Sequence, residues 1–321
     1  MTRRSKSVVQ ALIVSLTYGC SRSSAQANFE RQASELLLQR FETVVSARTN
    51  VLTRLDFDHP EQDFGQKYLG LPFVYLMGGL KLIGPNTLHV VEAGSSTVLT
   101  GSKDFVAPER NGMVSSRMCY IAILGSEAAP NITREFSKAK VESIDARTVW
   151  TWSASPQQGF TTEVRFYAAV VAGTFFVLAN DRDDFRETAD TLAKGARGNA
   201  QANPVMDRDL ASVRANPYWA YRGIRRTEGA DAAASGLTRL PASAVRLRLF
   251  TKFDDGKLFF DVVVTNDGSG FGPPEGLPSW ELMSFQRAGS GVWQATLPLT
   301  TSQTTNALFQ VMGFLGYGLV M

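Results

Sequence analysis

Three patterns in the 321-residue chain predict an α+β fold, with antiparallel β-sheets built from hairpins and helices packed on them, including an N-terminal and a C-terminal helix. Residues 245–264 carry apolar side chains alternating along two arms around Asp255-Gly256, the turn pair that best matches strand twist. Residues 166–179 form two apolar arms about Gly173. Helical stripes recur at three- and four-residue spacing near the N-terminus and after residue 184.

The chain begins Met-Thr-Arg-Arg-Ser-Lys, with Arg3, Arg4 and Lys6 and no acid, and residues 8–18 are apolar apart from Gln10, Ser15 and Thr17. A basic start, a short apolar centre and a small-residue exit make the three-part pattern of a secretory signal. The apolar part is about half the ~20 residues that span a hydrocarbon core, which favours a leader over a permanent transmembrane helix. Arg3-Arg4 raises the twin-arginine route, yet Ser5-Lys6-Ser7 lacks the hydrophobic residues that should follow. Two exits then compete. Cys20 would be a lipid-attachment cysteine, but Thr17 stands where such signals carry Leu, and bulky Tyr18 follows it. Ala25-Gln26-Ala27 satisfies the small-x-small rule of ordinary cleavage. Cleavage after Ala27 is therefore expected, and a membrane-anchored lipoprotein through Cys20 is the alternative.

That cut changes the charge balance. The full chain has 33 Lys plus Arg against 30 Asp plus Glu, a formal charge of +3. Residues 1–27 hold four of the basic residues (Arg3, Arg4, Lys6 and Arg22) and no acid, so 29 basic face 30 acidic residues afterwards, a formal charge of −1. A general nucleic-acid role, which needs a basic footprint on the domain itself, loses its support. An apolar content of 44% with 20% charged residues fits a globular chain rather than a disordered one. Cys119 is the cysteine remaining after the cut, within an apolar run, and one cysteine closes no internal disulfide. Its setting predicts a buried, inert thiol.

Along the chain, residues 28–47 read as a helix because Phe29, Ala33, Leu36, Leu37, Phe41 and Val44 form one stripe. Residues 68–83 read as a short helix or a strand pair. Strands are expected at 89–100, 118–124 and 149–153, each β-branched or aromatic and bounded by turn residues. After the 166–179 hairpin, residues 180–184 are rich in helix-capping types, and Asp184 with Glu187 has capping-box spacing. Phe185, Thr188, Ala189 and Leu192 then share a helical face that Gly195 ends. Small and polar residues 195–204 mark a boundary, and residues 227–238 read as an exposed loop. The expected organisation is a leader (1–27), an N-terminal α+β domain (28–198) and a C-terminal α+β domain (199–321), or one continuous unit of the last two.

In the 245–264 hairpin, Val245, Leu247, Leu249, Thr251 and Phe253 meet Leu258, Phe260, Val262 and Val264 on one face. Residues 282–286 and 292–297 suggest another hairpin, and 304–317 a final helix. Residues 307–321 are nearly all apolar but too short to span a membrane, so a core helix is expected there.

No motif names a reaction. After the cut the histidines are His59 and His89, and a Ser-His-Asp system would need one of them. His89 lies in Thr-Leu-His-Val-Val, which reads as a strand, and Gly94-Ser95-Ser96-Thr97 reads as a turn rather than a nucleophile elbow. Ser137-Lys138-Ala139-Lys140 matches S-x-x-K without its companion motifs. The acidic run Asp56, Asp58, His59, Glu61 and Asp63 could converge on calcium, but position six of an EF-hand loop would need Gly where Glu61 stands, so a solvated loop is preferred. Zinc lacks any His-x-x-x-His or Cys-x-x-Cys pair. Gly268, Gly270 and Gly272 run into Pro273-Pro274, not into a helix, as a dinucleotide site would require. No cofactor, metal or catalytic residue is assigned.

The most site-like stretch is 216–226, where Trp219 and Tyr221 share a face if extended and Arg222, Arg225 and Arg226 lie close. Aromatic rings offer stacking area and arginines hold carboxylates or phosphates. The competing reading, a strand whose aromatics enter the core and whose arginines stay wet, is preferred.

The order of the 166–179 hairpin, "VLANDRDDFRETADTLAKG", "DRDLASVRANPYWAY" and "RLRLFTKFDDGKLFFDVVV" resembles an exported bacterial α+β family of unknown function, over roughly residues 164–266. That resemblance implies an exported α+β domain and no known activity. The expectation is an exported bacterial protein, periplasmic or secreted, which binds an envelope component or protein partner without being an enzyme. The alternative is an extracytoplasmic hydrolase with a dispersed site. No nucleic-acid partner is expected, and membrane contact only if Cys20 is lipidated or the leader is uncleaved.

Overall fold

The computed structural model describes residues 24–41, 43–49, 70–107, 113–155, 163–195, 218–222, 244–254, 257–266, 286–289 and 292–299. Helix α1 (Ser24–Arg40) leads into strand β1 (Thr43–Arg48), and helices α2 (Gly70–Lys81) and α3 (Thr87–Ala93) follow. The long strands β2 (Ser95–Ala107) and β3 (Met113–Leu124) precede helix α4 (Ala128–Glu135) and a 3-10 turn, Phe136–Lys138. Then come β4 (Lys140–Ile144), β5 (Arg147–Ala154), β6 (Val164–Val171), β7 (Phe175–Ala179) and helix α5 (Arg182–Ala193). Beyond it lie β8 (Tyr218–Arg222), β9 (Ala244–Asp254), β10 (Lys257–Asn266), β11 (Gln286–Gly289) and β12 (Val292–Leu299).

These strands form one 12-stranded sheet in the order β11-β12-β10-β9-β8-β1-β2-β3-β7-β6-β5-β4. Every pairing is antiparallel, as the α+β expectation requires. Alternation along β3, β6 and β7 sends buried side chains to both faces. Cys119, Ile121, Ile123, Tyr167, Ala169, Phe175 and Val177 join Leu36 and Leu37 of α1, Phe41 just after it, and Phe185, Ala189 and Leu192 of α5 in one core cluster. Phe29 at the start of α1 meets Phe175 edge-on, with ring centroids 5.5 Å apart.

On the opposite face Phe136 stacks on Trp150 at 4.7 Å and also contacts Trp152 and Phe176. Helix α2 covers this aromatic group: Trp152 Nε1 donates to the Gly79 carbonyl at 2.8 Å, and a Cβ on Gly79 would stand 2.6 Å from the Phe166 ring. Central strands buried on both faces read as continuous apolar runs, which explains "FFVLA" in β7, buried at every position.

Several expectations are corrected here. The predicted 28–47 helix stops at Arg40, because Thr43, Val44 and Val45 are β-branched and pair as strand β1 with β2 and β8. Val44 continued the helical spacing because the strand returns it to the same core cluster as Phe41. The strand expected at 89–100 is split: residues 87–93 form α3, burying Thr87, Leu88 and Val91, and the strand begins at Ser95. Gly94 is thus a helix end and not the first residue of a turn. Of the two alternatives expected for residues 68–83, the helix is the one formed, at residues 70–81. The first arm of the last hairpin is Gln286–Gly289, displaced from 282–286. The predicted 304–317 helix and the 195–204 and 227–238 stretches lie outside the described residues, apart from Gly195.

Turn geometry follows backbone chemistry. Val171 pairs with Phe175, leaving a loop in which Ala172 (φ 50°) and Gly173 (φ 67°) are left-handed. The two-residue loop between β4 and β5 uses Asp145 (φ 49°) and Ala146 (φ 61°), a primed turn built without glycine. Among the described residues no helix is long and apolar enough to cross a membrane.

Gly101 of β2 sets how closely α1 approaches the sheet, since a Cβ there would lie 2.7 Å from the Phe41 ring and 3.1 Å from Leu37. Gly101→Ala is expected to cost about 1–3 kcal/mol through overpacking. Adding Phe41→Leu should recover part of that loss. Denaturant unfolding of the two single variants and the double variant measures the coupling.

Candidate functional site

Among the described residues, ionisable side chains converge most tightly where the C-terminus of α1, strand β2 and the first turn of α5 meet. The geometry starts from a cap. Asp181, in extended backbone (φ −129°, ψ 136°), accepts hydrogen bonds from the N–H groups of Asp183 and Asp184 at 3.0 and 2.9 Å. The Asp184–Glu187 capping box expected from spacing is therefore not formed. With Asp181 outside the helix as its cap, Asp184 falls one turn before Thr188 on the buried face.

The Asp184 side chain is only 2% exposed. Arg40 Nη2 donates to its Oδ1 at 2.8 Å and Lys103 Nζ to the same oxygen at 2.9 Å, while Arg40 Nη1 donates to Glu187. Lys103 also lies 5.3 Å over the Phe41 ring, a cation–π placement that keeps its ammonium near the carboxylate. Arg117 of β3 reaches Asp181 at 3.4 Å, so β3 also holds the start of α5.

Burial alone would raise the Asp184 pKa, but hydrogen bonds and charge from Lys103 and Arg40 outweigh it and hold the carboxyl below its ordinary value. Burial likewise opposes the Arg40 charge, and its bonds to Glu187 and Asp184 overcome that, leaving its pKa raised. Beneath them Cys119 Sγ lies 3.9 Å from Thr188 Oγ1, and burial pushes its thiol up to about 12. A thiol so disfavoured as thiolate is a poor nucleophile, in line with the inert cysteine expected. Chemically, then, this centre is a clamp: a carboxylate held in its charged form by two cations.

A second group lies on the other face. Glu92 of α3 has its pKa raised by burial, with His89 and Lys81 partly opposing that, and burial together with Glu92 raises the buried Tyr120 phenol. His89 itself is exposed, on a helix rather than on the strand expected for it.

Of the predicted binding residues, Trp219, Tyr221 and Arg222 lie on β8, between β1 and β9. Trp219 stands opposite Ser46 and Phe250, is 4% exposed, and belongs to the core cluster. Tyr221 stands opposite Val44 and Arg248, and Arg222 opposite Thr43 and Leu247. Arg225 and Arg226, His59 with the 56–63 acidic run, and the 268–272 glycines lie outside the described residues. Ser137 and Lys138 are the exposed residues of the 3-10 turn. Among the described residues no group of three or more His, Cys, Asp or Glu could hold a metal ion.

Sequence reasoning did not single out Arg40 or Lys103, and it gave Asp184 a capping role rather than a buried ion pair. One signal was present: Asp184 precedes Thr188 by four residues, so it shares the stripe of Phe185, Thr188, Ala189 and Leu192.

Asp184→Asn is expected to destabilise the protein by about 2 kcal/mol at neutral pH, because Arg40 and Lys103 are then left half-buried without their shared anion. An ordinary aspartate titrates near pH 3.9. With the folded pKa below that, the wild-type contribution is complete above about pH 4 and is lost as pH falls through the folded value. The variant should therefore show a flatter dependence of stability on pH in acid, read from denaturant midpoints across that range.

No family model and no curated protein matches the chain. Among solved structures, TP0453 in crystal form I aligns with a TM-score of 0.45 at 9% identity, over 85% of this chain and 94% of that one. Crystal form III of TP0453 gives 0.45 at 8% identity over 84% and 94%, and crystal form IV gives 0.43 at 10% over 85% and 93%. Likeness at that level carries no argument about what this chain does.

Proposed function

We propose that the protein is exported and acts outside the cytoplasm as a non-enzymatic binding or interaction protein. The observation that supports this best is the use of its buried charge. Asp184, Arg40 and Lys103 are spent on fixing α1 and α5 to the sheet, and the cysteine below them is held as a thiol. A reacting centre instead needs groups poised near the working pH and open to substrate.

Export rests on the leader. Cleavage after Ala27 would remove four residues from the start of α1, yet Phe29, Leu36, Leu37 and Arg40, which anchor that helix, all follow the cut. Binding contacts are proposed at Tyr221, Arg222, Arg225 and Arg226, with the buried Trp219 as part of the same stretch. The occupant is an anionic envelope component or a protein partner.

One observation favours the hydrolase reading: Glu92, a carboxyl with a raised pKa, lies close to His89. A carboxyl whose pKa is raised, beside an imidazole, is a combination that acid–base chemistry uses.

Three measurements decide. Intact mass of the protein after cell fractionation should give a chain beginning at Asn28 without lipid, and a diacylated Cys20 would overturn the cleavage proposed here. The His89→Ala/Glu92→Gln variant should keep wild-type stability and wild-type retention on an envelope extract, whereas Arg222→Ala/Arg225→Ala/Arg226→Ala should lose that retention. Ester hydrolysis by the purified protein that disappears in His89→Ala would establish the hydrolase instead.

A further inference from the structure

Strand β4 is the end strand of the sheet, with β5 as its neighbour among the described residues. Its second residue, Val141, is 57% exposed and is the exposed large hydrophobic side chain among the described residues. Around it stand Lys140 and Glu142, both on the face opposite to Val141's, with Lys140 Nζ 3.6 Å from Glu142 Oε1. Arg165 of β6 also donates to Glu142.

An end strand exposes a row of backbone N–H and C=O groups, and proteins commonly defend it with like charges that repel a second copy. The charges on β4 do the reverse. If a second copy pairs antiparallel about a two-fold axis at Val141, each residue meets the one equally far on the other side of that position. Val141 then faces Val141, and Lys140 of each copy faces Glu142 of the other. Directly opposed opposite charges and apolar pairs stabilise an antiparallel ladder, whereas like charges weaken it. Centring the axis on Glu142 would instead oppose two carboxylates. Pairing about Val141 also keeps both faces of the sheet continuous, so the helices of each copy stay on matching sides.

We propose that β4 is a self-pairing edge, through which two copies of this chain form a symmetric dimer centred on Val141. The five-residue strands bury less than a standard interface of about 1,600 Å², so the dimer is weak and concentration-dependent. This inference does not rest on the proposed binding role.

The test places Val141→Cys in the full chain carrying Cys20→Ser, where Cys119 is buried. Opposed cross-strand Cβ atoms are about 5 Å apart, close enough for a disulfide with slight adjustment. Mild oxidation should yield an intermolecular disulfide several-fold faster than in Ser143→Cys, whose sulfurs would be separated by four residues of strand. Sedimentation should show a dimer fraction that rises with concentration, falls several-fold in Glu142→Lys, and returns in Lys140→Glu/Glu142→Lys. Equal cross-linking at the two cysteine positions, a monomer at every concentration, or a dimer insensitive to Glu142→Lys would each overturn the proposal.

Discussion

The buried carboxylate of Asp184 is the constraint on which the α1–α5 side of the sheet depends. A charge that is nearly inaccessible to water is costly unless cations meet it. Two do, from different parts of the chain: Arg40 at the last turn of α1 and Lys103 on β2. Meeting that requirement fixes where α1 ends, where α5 starts and how both lie on the strands. The apolar contacts of Leu37, Phe41, Phe185 and Ala189 supply most of the burial, but they are tolerant of small slips. A carboxylate with two specific donors is not, so the ionic contact gives the layer its register while the apolar contacts give it stability.

The two faces of the sheet use different means. On the α1–α5 side charge and aliphatic packing cooperate. On the α2–α4 side the contacts are mainly aromatic, with Trp150, Trp152, Phe136, Phe166 and Phe176 in offset or tilted arrangements. Gly79 and Gly101 play matching parts, each letting a ring lie directly against backbone: Phe166 of the sheet on α2, and Phe41, at the end of α1, on β2. Small residues at these two crossings, one on a helix and one on a strand, therefore set the spacing between layers on both sides.

What was legible in the sequence was local. The 245–264 and 166–179 hairpins were readable because two-residue periodicity and a glycine turn sit within a few residues of each other. The α5 stripe was readable for the same reason. Where two neighbouring elements bury their side chains in one cluster, the pattern misled: Phe41 and Val44 look like one helix, although a helix and a strand deliver them. Where β-branched residues form a helix, as in α3, tertiary burial of Thr87, Leu88 and Val91 overrides strand propensity. The Asp145-Ala146 turn carries no glycine to announce it. The charge clamp was hidden for a different reason, since Arg40, Lys103 and Asp184 are far apart in sequence and look like ordinary surface charges until the sheet brings them together.

The position of β1 has a kinetic consequence. This strand lies between β2 and β8, so Val44 pairs with Gly101 on one side and with Tyr221 on the other. This strand, the first among the described residues, cannot complete its hydrogen bonding until a segment made much later has arrived. Such distant pairings must overcome a large loop-closure entropy before they stabilise anything, which slows folding. If the chain, exported as proposed above, crosses a membrane unfolded, slow closure is an advantage, because the sheet finishes late relative to the crossing.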